Sequence, residues 1–165
     1  KKRLIGISLN TFKYRPYGVS DMTVFGQIDD MLVYWQPNLD MRRFSKEQVE
    51  TSEHSIGNFL NMRVCEIYLS TEYLNNIGRI LKWTFADALQ VYAEHFIIID
   101  KESIDLFWFK YDWHKEFRYL QYDSLRTNQE LNFREWLNIY MRHDQIVLSN
   151  DLTCKKFGEI IDVGF

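Results

Sequence analysis

Apolar positions recur along this chain with two different periods, and the switch between them divides it into elements. From Leu4 to Phe12, Ile5, Ile7 and Leu9 alternate with Gly6, Ser8 and Asn10, the period of a half-buried strand. Tyr14 to Ser20 carries Pro16 and Gly18 and reads as a loop. From Asp21 to Trp35 the period lengthens: Val24, Phe25, Ile28, Met31, Leu32 and Trp35 fall three and four apart, which predicts a helix that runs through Gly26 and ends at Pro37. A strand pair competes for this stretch, because Met31 to Trp35 is rich in residues that also suit sheets.

Two helix starts combine a capping box with a hydrophobic staple. Ser45 caps with Gln48 while Phe44 packs on Val49, and Asn132 caps with Glu135 while Leu131 packs on Trp136. The second of these helices gathers Phe133, Trp136, Leu137, Tyr140 and Met141 on one face and ends in Arg142 and His143, cations that suit the negative end of its dipole. Between them, Tyr73 through Tyr92 keeps helical spacing, predicting one long helix or two abutting ones over 72–94, with Thr84 and Asp87 as an internal cap. The preceding Arg63 to Leu69 suits a strand or a buried helix equally. Phe96 to Ile99, a polar turn at 100–103 and Ile104 to Trp113 predict a β-hairpin. A short strand at Gln145 to Ser149 precedes the tail 157–165. Strands are grouped rather than alternating regularly with helices, so the expected fold is α+β: residues 1–165 as one domain, with a small antiparallel sheet and central hairpin packed against several helices.

Composition sharpens this picture at one point. Hydrophobic residues at 46% and charged residues at 26% are ordinary, whereas aromatics at 16% are over-represented. No apolar run reaches the length of a membrane span. Lys1-Lys2-Arg3 is followed by nothing like a secretory leader, which sets a cytoplasmic expectation. Cys65 and Cys154 are too few for a disulfide framework and read as free core thiols in a reducing compartment. A formal net charge of −3 argues against a surface built to neutralise phosphates, so nucleic acid is disfavoured as the direct ligand.

Candidate chemistry concentrates on the strand expected after Ile104. Phe107, Phe109, Tyr111 and Trp113 share one face, and Leu106, Trp108, Lys110, Asp112 and His114 the other, which runs from apolar into charged. Exposed Trp and Tyr beside charges is the composition of binding hot spots. Beyond it, Phe117, Tyr119, Leu120 and Tyr122 alternate with Lys115, Arg118 and Gln121, a mixture that stacks on single-stranded nucleic acid elsewhere, but Asp105, Asp112, Glu116 and Asp123 would repel its backbone. Asp112 with His114, Glu94 with His95 and His143 with Asp144 lack any metal-ligand spacing. Asp100, Glu102 and Asp105 with Lys110 imitate a magnesium site, yet Asp100 and Glu102 fall in a turn, where such residues are preferred for the turn itself. Cys65 sits in an apolar run that would keep its thiol inert, and Cys154 precedes Lys155 and Lys156 with no base fixed beside it. Phosphate-cradling glycine motifs and the Gly-x-Ser-x-Gly elbow do not occur.

Without a catalytic motif or a cofactor fingerprint, the residues favour a non-enzymatic cytoplasmic module that binds another, basic protein as an inhibitor, in the manner of a toxin immunity protein. Trp108, Trp113 and Tyr119 are the candidate anchors, and Asp29, Asp30, Asp112, Glu116 and Asp123 the candidate acidic contacts. Two alternatives remain open: an enzyme acting on nucleic acid or nucleotides through acidic residues distant in sequence, or a structural or assembly subunit whose aromatic face is an oligomer contact.

Overall fold

A computed structural model describes residues 3–8, 11–13, 15–36, 64–104 and 130–142. The elements are β1 (Leu4–Ile7), β2 (Val24–Phe25), α1 (Ile28–Tyr34), α2 (Cys65–Asn76), α3 (Phe85–His95), β3 (Phe96–Ile99), a 3-10 turn (Lys101–Ile104) and α4 (Phe133–Met141). This is an α+β arrangement in which a three-stranded sheet of order β2-β1-β3 meets the helices.

The sheet is mixed. β2 pairs antiparallel with β1 through Ile5 opposite Phe25 and Gly6 opposite Val24, while β3 pairs with β1 parallel from Leu4 opposite Phe96 to Ile7 opposite Ile99. Among the described strands the central one is β1, and the expected turn after Ile99 takes the form of the 3-10 turn, with Ser103 N–H donating to Asp100 O. A parallel pair needs a long crossover, and here it carries α1, α2 and α3. Residues 105–113, on which the second hairpin strand was expected, lie outside the described residues, as do the Ser45 cap and the strand at 145–149.

β1 is more deeply covered than a half-buried strand. Gly6 and Ser8, the small residues of its alternation, are buried, because the loop through Val19 crosses them: a Cβ on Gly6 would lie 2.5 Å from Val19 Cγ1. Small residues here let a second backbone approach the sheet. The stretch expected as one helix from Asp21 divides at Gly26, where a Cβ would meet Leu4 Cδ2 at 2.6 Å. Val24 and Phe25 pair with the sheet, and the helix begins only at Ile28.

Helical spacing over 72–94 resolves into two helices. Cys65 to Leu69 proves helical, opening α2, which stops at Ile77. Gly78, at φ 83, donates to Asn75 O while Arg79 N–H donates to Leu74 O, the paired bonds of a Schellman ending that needs a left-handed residue. α3 then starts as its sequence indicates, Thr84 Oγ1 accepting from Asp87 N–H at 3.1 Å. α4 starts on the full capping box, Asn132 Oδ1 accepting from Glu135 N–H at 2.9 Å and Glu135 Oε2 from Asn132 N–H at 3.0 Å.

The core joins Leu4, Phe96 and Ile98 of the sheet to Tyr73 and Leu74 of α2, Leu89 and Tyr92 of α3 and Trp136 and Ile139 of α4. Two of its aromatic residues have their polar ends satisfied: Trp136 Nε1–H donates to Tyr92 O at 3.1 Å, and Tyr92 O–H to Arg15 O at 3.0 Å. Cys65, expected in the core, is exposed at the first turn of α2; its apolar neighbours Ile67, Tyr68 and Leu69 turn inward instead. No helix among the described residues is long and apolar enough to cross a membrane.

Candidate functional site

α1 packs Met31, Val33 and Tyr34 on the core and leaves a second apolar side uncovered. At 3.6 residues per turn, Ile28, Leu32 and Trp35 fall within about 60° of one another around the axis, with Asp30 and Tyr34 on the opposite side. An ordinary surface helix would bury the first group. Here Ile28 is 70% exposed, Leu32 53% and Trp35 51%, and Phe25 in adjoining β2 is 47% exposed, whereas Asp30 and Tyr34 are buried.

The inward face explains what holds α1 in this orientation. Tyr73 of α2 donates to Asp30 Oδ1 at 3.4 Å, and its ring lies 6.0 Å from that of Tyr34. Burial pushes the Tyr73 hydroxyl well above the usual phenol range, and the Asp30 carboxylate adds to the rise, so Tyr73 stays a donor. Tyr34 is raised chiefly by burial and then by Asp21; Ser70 moderates the rise, although Tyr34 Oη makes no hydrogen bond of good geometry. Asp30 Oδ2 is likewise buried without one. The inward side carries Met31 and Val33 packed on the core beside Tyr34, so a buried Asp30 among them and three exposed apolar residues opposite are the two features of α1 that run against the cost of desolvation.

α1 starts without a side-chain cap on Gln27, and Asp29 and Asp30 in its first turn oppose the dipole instead. The surrounding sequence is one-signed: from Pro16 to Met41 there are Asp21, Asp29, Asp30 and Asp40 and no Lys, Arg or His. At the first turn of α2, partial burial pushes the Cys65 thiol up to about 11, helped by Asp21, which accepts its hydrogen bond, and by Glu66. A thiol so protonated is a poor nucleophile at neutral pH despite its exposure.

Of the residues singled out from the sequence, Asp29 is exposed on α1 beside the apolar stripe, and Asp30 lies in the interior. Trp108, Asp112, Trp113, Glu116, Tyr119 and Asp123 lie outside the described residues, as does Cys154. The apolar surface of Phe25, Ile28, Leu32 and Trp35 was missed because periodicity shows that a stripe exists without showing which way it faces.

Other constellations have structural partners. Asp100 accepts from Phe133 N–H at 2.9 Å and so ties the end of β3 to the start of α4. His95 Nε2 lies 3.6 Å from Glu94 Oε2, which Arg79 also approaches at 3.8 Å. Among the described residues no group of His, Cys, Asp and Glu could hold a metal ion. No protein-family model matches the chain, and no curated protein or solved structure is significantly similar to it.

Proposed function

We propose that this protein binds a basic protein and neutralises or regulates it, in the manner of an inhibitor or immunity protein. The observation that carries the reading is the exposed apolar side of α1, formed by Ile28, Leu32 and Trp35. Contiguous exposed apolar surface beside polar groups marks interaction sites on folded proteins. Charge supports a basic partner: Asp21 and Asp29 stand in a stretch, 16–41, that holds no cation, and the whole chain carries a formal −3. Such a field speeds encounter with a cationic surface and penalises an acidic one.

The test is affinity capture of the tagged full chain from its native lysate at moderate salt, followed by mass spectrometry and assay of the captured protein's activity. A stoichiometric basic protein whose activity falls on binding supports the proposal. If the folded chain captures nothing, the proposal fails, and screens for nuclease and nucleotide hydrolysis become the next step.

A further inference from the structure

We infer that the outward face of α4 docks an acidic amphipathic segment of another protein, with Phe133, Tyr140 and Met141 as the apolar contact and Arg3 and Arg134 as the charge contacts. The inference does not rest on the basic partner proposed above; it concerns a second surface, of opposite sign. On an ideal helix Tyr140, Phe133, Leu137 and Met141 fall within about 100° of one another around the axis. Phe133 is 39% exposed, Tyr140 42% and Met141 66%, with Leu137 partly buried on the core between them. Both rings stack on the buried Trp136, at 5.7 Å and 5.5 Å between centroids, so the surface is set before a partner arrives and less ordering entropy opposes binding. Singly scattered apolar residues are ordinary on a protein surface, whereas a contiguous patch marks a contact site.

The cations around this face argue for an acidic occupant. Arg134 borders it about 20° from Met141 around the axis, and is exposed with no carboxylate partner among the described residues. On the opposite flank the Arg3 guanidinium lies over the Tyr140 ring at 4.6 Å and donates to the Glu94 carbonyl at 3.4 Å rather than to a carboxylate. Nearby carboxylates are engaged elsewhere: Glu135 by Lys13 and Asn132 N–H, and Asp100 by Phe133 N–H. Carboxylates on an incoming segment therefore meet guanidinium groups that no acidic side chain of the described residues occupies, and Arg is suited to such pairs at an interface. Base stacking is the weaker mode, because Tyr140 already carries Trp136 and Arg3 against its ring and the whole chain has a formal −3.

The experiment installs the photo-crosslinking residue p-benzoylphenylalanine in the full chain in its native cells, at Met141, which leaves the ring stack in place. A separate variant carries it at Ile80, 82% exposed after α2, as the control. The expected result is a Met141 crosslink to one other protein, mapping to a segment with Asp or Glu beside apolar residues, and at least tenfold less product from Ile80. Adding Arg134→Glu to the Met141 variant is expected to cut that product at least tenfold, while Arg134→Lys keeps it within about threefold. Circular dichroism and unfolding curves establish that both variants are folded. A Met141 crosslink to a second copy, to this chain's own residues, to nucleic acid, to lipid or to a segment without carboxylates overturns the inference. So does product that Arg134→Glu leaves unchanged, or no product at Met141.

Discussion

Asp87 shows how a single buried side chain can decide a loop. It receives the Tyr17 hydroxyl at 2.7 Å, Lys82 N–H at 2.8 Å and the Arg79 guanidinium at 2.6 Å, and these bonds draw residues 79–84 onto the start of α3. The same residues include two left-handed non-glycine positions, Tyr17 at φ 66 and Trp83 at φ 56, whose rings meet edge-on at 5.3 Å. Such conformations persist only where their surroundings impose them. Replacing Asp87 with Ala would remove the carboxylate that the Tyr17 hydroxyl and the Lys82 N–H share and leave Arg79 without its closest carboxylate, so Asp87→Ala should cost about 3 kcal/mol, measured by urea unfolding. An Asp87→Ala variant as stable as the parent would show that the loop is held by packing alone. The sequence disclosed part of this residue, as the cap partner of Thr84, because capping acts over three positions. Its bonds to Tyr17 and Arg79 depend on how the chain is folded back and leave no local trace.

Among the elements, ends were more legible than faces. Thr84 and Asn132 announce helix starts because the unsatisfied N–H groups of a first turn need an acceptor at fixed spacing. The end of α2 follows the same logic at Gly78, where a Cβ would meet no atom within 4 Å. Gly78→Ala therefore tests backbone conformation without steric contact, and should destabilise the protein by about 1–2 kcal/mol. Thermal unfolding at unchanged midpoint would contradict the left-handed ending. The break between Phe25 and Ile28 was obscured because Gly26 is as compatible with a helix interior as with the close approach of Leu4. Pairing was harder still: the runs of β1 and β3 signal strands, but neither run shows that the two pair in parallel across a crossover that holds α1, α2 and α3 among the described residues. The facing of α1 was the least legible feature, since both of its sides carry apolar residues at regular spacing, and only the tertiary contacts of Met31, Val33, Asp30 and Tyr34 choose between them.

For the whole molecule, buried phenols tie stability to alkaline pH. Tyr17, Tyr34, Tyr73 and Tyr92 all have pKa values raised mainly by burial, and Cys65 is raised to about 11. Each folded group binds its proton more tightly than the unfolded chain does, so its contribution is complete below the unfolded pKa and is lost as pH rises toward the folded one. Stability should hold at neutral pH, begin to fall above about 9 as Cys65 in the unfolded chain ionises, and fall more steeply above about 10 with the tyrosines. Ultraviolet titration should show these four phenols ionising together with loss of structure; ionisation at the free-tyrosine pH in a still folded protein would contradict their burial.

The same distribution of burial leaves the outer apolar side of α1 uncovered, and the proposed binding gives that side a role. The most direct test is calorimetric titration of the captured basic protein with the full chain and with Leu32→Asp, after circular dichroism and unfolding curves establish that the variant is folded. The account predicts at least a hundredfold loss of affinity, since an aspartate would enter an apolar contact at the centre of the stripe. Affinity within twofold of the parent, in a folded Leu32→Asp protein, would contradict it.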